Sequence, residues 1–310
     1  MLQQQSEHRH PFTSLLLLLA IILVCVTVSM LLANFIGSFI FGPDFLSAVG
    51  SGHASTDMQR FFVSFSSVGM FVLPPILFAA IQRKDERNYL GFRSPKPWIL
   101  FVIALAVMMF CKPFLEWTIW LNQQMKLPGF LSSVEDWMRY KEIQAELLTK
   151  KLLVMKTPEQ LYVNLLVIAI IPAVGEELLF RGCLQRIFSD WANSFHWGIW
   201  ISAILFSAIH VQFYGFLPRM ILGALFGYLF FLGKSIWIPI LAHFFNNASA
   251  VVMAYFFQQQ GKSLNNIMKP ESYSWYLVIV SVIFTTLLFW LFIAIARKDN
   301  DIAGNERRLE

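Results

Sequence analysis

The apolar positions of this chain fall in long uninterrupted segments, which short polar connections separate. A membrane-spanning helix needs about 20 mostly apolar residues. Segments that come near this requirement are 13–40, 61–82, 97–121, one that begins near 159, about 195–212, 217–233, 235–257 and 272–296. Arg219 interrupts the sixth. The pattern predicts an all-α polytopic membrane protein with about eight transmembrane helices, in a single membrane-embedded domain over 13–296 between tails at 1–12 and 297–310.

The composition favours the same fold class. Hydrophobic residues make up 57% of the 310 residues and charged residues only 14%, against about 25% in soluble domains. The first apolar segment exceeds the roughly 7–15-residue core of a signal peptide, so we expect it to be retained as a helix. The net charge of +5 fits basic flanks facing anionic membrane lipid, not a nucleic-acid partner. The three cysteines lack disulfide or metal-site spacing.

Basic residues in the connections predict the orientation. Five of them occupy the 83–96 connection, which the positive-inside rule places in the cytoplasm. With eight spans, both termini are then cytoplasmic, in the plasma membrane or the inner membrane if the source is bacterial. The long 122–157 connection predicts a further helix on the membrane surface. Ser132 and Glu135 have the spacing of a capping box for it, and Pro158 fits the start of the fourth span.

Polar side chains interrupt the predicted spans at three places. Glu176, Glu177 and Arg181 lie in the fourth, His210 near the end of the fifth, and His243 with Asn247 in the seventh. Ionisable groups inside a membrane are costly and are functional candidates by default. The joint occurrence of three clusters favours one functional site over separate structural hydrogen bonds.

Depth in the membrane decides whether these clusters can meet. If the fourth helix ended at Glu176, its carboxylate would lie at one membrane face and His210 near the other. If the helix runs to about residue 188, Glu176, His210 and His243 lie about 18, 22 and 12 Å from the same face at 1.5 Å per residue. We therefore predict that the fourth helix continues through Arg181.

Helical spacing and residue type then suggest a hydrolytic site. Glu177 and Arg181 are i,i+4 and can pair, whereas the neighbouring Glu176 points about 100° away, towards a cavity. A carboxylate and a neutral imidazole around one water can remove its proton, and an imidazole with an amide N–H can stabilise an oxyanion. Glu, His and His also form a zinc ligand set, so Glu176, His210 and His243 are alternatively a metal site.

These residues resemble the CAAX protease and bacteriocin-processing family, also called the CPBP or Abi family. Its motifs EExxxR, FxxxH and HxxxN match Glu176–Arg181, Phe206–His210 and His243–Asn247, in the family's order, within about 165–257. The resemblance implies an eight-helix intramembrane peptidase. In that case Glu176 and His210 activate the water, His243 and Asn247 form the oxyanion hole, and Glu177 and Arg181 support them. It does not settle whether a metal takes part, and it does not imply a prenylated substrate.

Other interpretations remain open at this point. A transporter with an ion-coupling carboxylate cluster would favour inverted repeats and broken helices, and Pro172 and Pro239 are compatible with such breaks, although the two halves look dissimilar. A non-catalytic membrane scaffold or immunity protein could use the same polar cluster. Asn246 is expected to face lipid or to pack. Lys112 and Glu116 are expected to form a structural ion pair or an interfacial feature.

Overall fold

The computed structural model describes residues 9–82, 89–94, 97–264 and 273–309, with side chains up to residue 298. All regular structure in these ranges is helical. The helices are α1 (Pro11–Phe41), α2 (Phe45–Gly50), α3 (Thr56–Ile81), α4 (Ile99–Gln123), α5 (Ser132–Leu152), α6 (Pro158–Ala192), α7 (Phe195–Ala208), α8 (Phe216–Gly233), α9 (Trp237–Gln259) and α10 (Trp275–Leu309). The all-α class is therefore confirmed.

Seven helices in the described part of the chain are long and apolar enough to cross a membrane: α1, α3, α4, α6, α8, α9 and α10. The chain is thus a multi-pass integral membrane protein. The predicted fifth span, 195–212, is wrong in its length, because α7 has only 14 residues and rises about 21 Å. The chain turns directly after it, and Val211 has a positive φ of 52°. At the C-terminal side, α10 continues past the expected end at 296.

Helix α6 is the central helix of the bundle. In its most apolar stretch 56% of the residues are buried, against 17% in α1 and in α10. It runs without a break from Pro158 to Ala192, which confirms the prediction that the fourth helix continues past the Glu176–Glu177 pair. Two segments within it, Leu165–Ile170 and Leu178–Leu184, are wound as π-helix. Such wide turns shift side chains around the helix and are frequent at functional sites.

Small residues let the neighbouring helices approach α6 and α7 closely. A side chain at Gly175 of α6 would meet Phe71 of α3 at 2.7 Å. On α8, Gly223 and Gly227 form a GxxxG motif, and a Cβ at Gly227 would meet Ile199 of α7 at 2.8 Å. The motif therefore serves the close helix packing expected of it. It also exposes carbonyl groups of α8 to the side chains of α6.

Helix α5 forms where the sequence predicts a helix, although the predicted capping box is wrong. Leu131 is the N-cap residue, and no side chain caps this end. Glu135 instead accepts hydrogen bonds from the Leu127 N–H at 3.0 Å and from the Arg139 guanidinium at 2.6 Å. The carboxylate is drawn to a charged partner one turn ahead, and a charge-assisted bond of this kind is stronger than a neutral cap.

Arg60 of α3 fastens the end of α5 to the bundle. Its side chain is 3% exposed and donates to Asn164 Oδ1 of α6 at 2.8 Å. It also donates to the carbonyl groups of Leu152 and Val154, at 3.1 and 2.7 Å. Asn164 donates in turn to the Leu152 carbonyl at 2.7 Å. One buried guanidinium thus satisfies the backbone where α5 ends.

We expect the substitution Arg60→Met to destabilise the protein by roughly 2–4 kcal/mol, since a buried acceptor left without a partner costs about 1–3 kcal/mol. Thermal unfolding of the detergent-purified protein measures the effect. Asp57→Asn is the matched control, because the Asp57 side chain is 72% exposed in its ion pair with Arg60 and such pairs contribute little. Equal melting temperatures for Arg60→Met and wild type would contradict the role given to Arg60.

Candidate active site

The Glu177 carboxylate joins two of the three motifs. One of its oxygens, Oε1, accepts a hydrogen bond from Arg181 Nη1 at 2.8 Å and lies 2.8 Å from His243 Nδ1. Glu177 is fully buried, and the exposed fractions of Arg181 and His243 are 1% and 4%. The predicted Glu177–Arg181 pairing is therefore present in the structure. The sequence did not indicate that the same oxygen also meets His243 of α9.

Aromatic rings and a carbonyl group surround the Arg181 guanidinium. Its Nη2 donates to the Gly223 carbonyl of α8 at 2.8 Å. The centroids of Phe206 and Phe226 lie 4.8 and 5.4 Å from its central carbon, within the range of cation–π attraction. Arg181 is thus an internal structural cation and not a snorkelling interfacial one. Phe206, the first residue of the FxxxH motif, provides one side of this cage.

His243 lies between the two adjacent glutamates of α6. Its Nδ1 faces Glu177, and its Nε2 lies 3.8 Å from Glu176 Oε2. The ring stacks on Phe226 at a centroid distance of 5.1 Å, which fixes the direction of Nε2. Glu176 is 9% exposed. One face of α6 therefore presents Glu176 to the open side of His243, while Glu177 holds the ring from behind.

His210 follows the end of α7 and lies in the turn, not in a helix. Its Nδ1 is 2.7 Å from the carbonyl oxygen of Phe206. Because a carbonyl can only accept, Nδ1 carries the proton, and the neutral ring keeps an acceptor at Nε2. The next residue, Val211, has a positive φ, which is strained for a β-branched residue. Such strain is found where the surrounding structure fixes a functional side chain.

Asn247 and Asn246 lie side by side on α9. Asn247 Nδ2 donates to the Ile168 carbonyl at 3.2 Å, within the first π segment of α6. Asn246 Nδ2 donates to Asn247 Oδ1 at 3.1 Å. The expectation that Asn246 faces lipid or packs is wrong, because it orients the amide of Asn247 and lines the cavity beside it. One N–H of Asn247 remains for a further acceptor.

A cavity of about 710 Å³ brings the predicted site residues together. Its wall includes Glu176, His210, His243, Asn246 and Asn247. Further polar residues on the wall are Lys112, Glu116 and Gln123 of α4, Glu142 of α5, Tyr214 before α8, Arg219 of α8 and Ser249 of α9. The structure therefore brings residues of all three motifs to the wall of one cavity.

The sequence did not assign Glu142 and Arg219 to the site. Arg219 carried a signal, a cation inside a predicted span, whereas Glu142 is one of several acidic residues of a polar helix. Glu142 Oε2 accepts a hydrogen bond from the Tyr214 N–H at 3.2 Å. Burial raises the pKa of the Glu142 carboxyl above its ordinary value, so this part of the cavity rim is poorly solvated. Lys112 and Glu116 also line the cavity, and the expectation that they form an ion pair or an interfacial feature stays a prediction.

Two of the three predicted zinc ligands, Glu176 and His243, lie close to each other. Zinc needs three or four ligand atoms at about 2.0–2.2 Å from one point. Glu176 Oε2 and His243 Nε2, 3.8 Å apart, can share such a point. Among the residues that the structure describes, however, no three His, Cys, Asp or Glu side chains are grouped so as to hold a metal ion. The zinc set Glu176, His210 and His243 therefore stays an untested prediction.

The fold and the cavity define a class: a polytopic helical membrane protein with buried carboxylate, imidazole and amide groups around one internal volume. Residues 158–249, from the start of α6 into α9, match the family model described as type II CAAX prenyl endopeptidase Rce1-like. This match confirms the resemblance that the three motifs indicate. Over these residues the chain is similar to the CAAX protease and bacteriocin-processing family.

A curated relative supports the assignment. The chain is 28% identical over 115 residues to the Bacillus subtilis (strain 168) protein named "Putative membrane peptidase YdiL". The aligned part is 37% of this chain and spans 44% of the length of that relative. No solved structure matches the chain. The family match runs from the start of α6 into α9 and so contains all three motifs.

We expect Arg181→Met to destabilise the protein by about 3–5 kcal/mol, because it leaves the Glu177 charge buried without its cation. The double variant Glu177→Gln/Arg181→Met should lose less than the sum of its two single variants, since the buried charge and its partner disappear together. Thermal unfolding in detergent and yield on expression measure both effects.

Arg139→Met is the matched control for Arg181→Met. Arg139 also pairs with a glutamate four residues away, but its side chain is 48% exposed, and pairs at such positions contribute at most about 1 kcal/mol. If Arg181→Met expressed and melted like wild type while Arg139→Met did the same, the buried pair would have no structural role.

Proposed function

We propose that this chain is an intramembrane endopeptidase, which hydrolyses a peptide bond of a protein or peptide substrate at the membrane. The observation that carries the proposal is the position of Glu176, next to the open nitrogen of His243 in a buried cavity that His210 and Asn247 also line. These groups supply a base, an acceptor and oxyanion donors, which are the parts that water-mediated acyl hydrolysis needs. Membrane lipid and a peptide are the partners it implies.

Water activation falls to Glu176 and His210. A water between the Glu176 carboxylate and His210 Nε2 donates one proton to Glu176 as its oxygen attacks the carbonyl carbon of the scissile bond. His210 accepts the second O–H and orients the water. The bond of its Nδ1–H to the Phe206 carbonyl fixes the tautomer that leaves Nε2 as an acceptor. A positioned base of this kind contributes about 10²–10⁴-fold to the rate.

Oxyanion stabilisation falls to His243 and Asn247. Because Glu177 occupies Nδ1 of His243, donation from Nε2 requires the imidazolium form. The N–H of Asn247 that does not bond Ile168 completes the pair of donors. Removal of one such donor costs about 10²–10³-fold in rate.

Collapse of the tetrahedral intermediate returns the proton. Glu176 donates it to the leaving amine nitrogen, the C–N bond breaks, and the carboxylic acid that forms passes its remaining proton to the amine, so that a carboxylate and an ammonium group leave the cavity. Glu176 is then ionised again and ready for the next water. Each step uses side chains of this chain and water alone.

The family match supports peptidase chemistry at this site, and the name of the Bacillus subtilis relative agrees with it. Neither names a substrate for this chain. The prenylated substrate that the family model's description mentions is therefore not part of the proposal. The transporter and scaffold interpretations receive no specific support from the described helices, since α6 runs unbroken through its polar cluster.

The substitution Glu176→Gln tests the proposal. It retains the shape of the side chain but cannot accept a proton, so cleavage should fall by about 10²–10⁴-fold. Asn247→Ala should reduce cleavage by about 10²–10³-fold. The assay uses detergent-purified protein and a quenched-fluorescent peptide library, with mass spectrometry of the products to locate the cleaved bonds.

Glu146→Gln on α5 is the matched control, because Glu146 forms a half-exposed ion pair with Lys150 and does not line the cavity. It should cleave like wild type, and all variants should melt like wild type. Cleavage by Glu176→Gln at the wild-type rate would refute the mechanism, and the transporter interpretation would then gain weight.

Chelation decides between the two forms of the site. In the mechanism proposed here, EDTA leaves the cleavage rate unchanged. If EDTA abolished cleavage and zinc restored it, Glu176, His210 and His243 would instead be metal ligands. Zinc content of the purified protein, measured by mass spectrometry, gives a readout that does not depend on activity.

A further inference from the structure

Arg219 is a cation on the wall of the active-site cavity that the proposed mechanism does not use. It lies in the first turns of α8 and shares the cavity with Glu176 and His210. A charge in a membrane-embedded position is costly and normally has a partner of opposite sign. Arg181 has such a partner in Glu177, four residues earlier on the same helix α6.

The hydrogen-bond acceptors that contact the Arg219 guanidinium are neutral. Its Nη1 donates to the Gln212 carbonyl at 3.3 Å, and its Nη2 donates to Gln212 Oε1 at 3.0 Å. In the described ranges no Asp or Glu oxygen lies within ion-pair distance of it, although the carboxylates of Glu142 and Glu176 are near enough to act on it electrostatically. A guanidinium has five N–H donors in a planar fork, so several donors remain for a further acceptor.

The shape of the wall leaves this guanidinium room and holds it in place. A Cβ built on Gly215 would meet Arg219 Nη2 at 2.9 Å, so the absence of a side chain there lets the fork lie against the backbone. Glu142, the acidic group of the neighbouring rim, is held by the Tyr214 N–H. The two opposite charges thus face one cavity, and each is held by a different neutral group.

We propose that Arg219 binds a carboxylate of the peptide substrate and so sets the specificity of cleavage. The inference rests on the proposed peptidase function. A carboxylate is the group that a guanidinium fork binds through two parallel hydrogen bonds, and it would give Arg219 a direct anionic contact beside its neutral hydrogen bonds to Gln212. The carboxylate can be the C-terminus of the substrate or an Asp or Glu side chain near the cleaved bond.

Binding measured without turnover tests this separately from catalysis. Fluorescent peptides are titrated against the Glu176→Gln protein and against Glu176→Gln/Arg219→Gln. They share one sequence of the peptide library and differ in one group: free C-terminus against C-terminal amide, and Asp or Glu against Asn or Gln. Loss of the recognised carboxylate should weaken binding to Glu176→Gln by about 10–100-fold, as expected for a charge-assisted bidentate contact.

Arg219→Gln should abolish this preference while leaving the neutral peptide bound as before. The peptide pair that shows the preference identifies the source of the carboxylate. Arg219→Lys keeps the charge without the fork and should retain a part of it, and Gly215→Ala, which crowds the guanidinium, should reduce it. Arg139→Gln on α5 is the matched control and should leave it intact.

With wild-type protein, Arg219→Gln should raise KM for the carboxylate peptide and change kcat little. Equal affinity of the Glu176→Gln protein for all the peptide pairs would overturn the inference. A preference that survives Arg219→Gln, in protein that melts like wild type, would overturn it as well. A preference for the carboxylate without any cleavage by wild type would instead refute the proposed function and leave the Arg219 site standing.

Discussion

The site depends on the shared oxygen of Glu177. A fully buried carboxylate is costly unless its charge is compensated and it accepts hydrogen bonds. Glu177 does so through Oε1 alone, because its Oε2 is buried with no partner among the described residues. Arg181 supplies the charge from one turn ahead on α6, and His243 supplies a second contact from α9. Because Arg181 also donates to α8 at Gly223, this cluster fixes the positions of three helices. The reacting groups are attached to this cluster and inherit its rigidity.

The adjacent glutamates of α6 have opposite surroundings, and that difference separates their roles. Glu177 points into the packed interior, where Arg181 and His243 both contact its Oε1. Glu176 points about 100° away into the cavity, with only His243 close by at 3.8 Å. A carboxylate with strong fixed partners is a poor base, whereas one beside a cavity can exchange protons with water. The EE pair thus gives one structural and one reactive carboxylate.

The sequence predicted the parts of this site that follow from helical geometry. Depth and spacing indicated the unbroken α6, the Glu177–Arg181 pair and the convergence on one cavity. It did not predict the second contact of Glu177, because partners on another helix depend on how helices rotate and pack. The same holds for Asn246 of α9 and Glu142 of α5. Both line the cavity because of how their helices pack in the bundle. The early end of α7 could not be predicted, because no Gly or Pro marks the turn at Val211.

Charge placement also explains how one cavity can serve both chemistry and recognition. Glu177 contacts Arg181 and His243 directly, so the groups that hold the reacting residues are partners within the protein. Arg219 lies in the same cavity but is held by the neutral Gln212, and it therefore keeps its attraction for a negative group. Binding a substrate through Arg219 leaves the contacts of Glu177 with Arg181 and His243 unchanged. Specificity can then vary through residue 219 while the catalytic cluster is kept, which is the separation that the Arg219 variants measure.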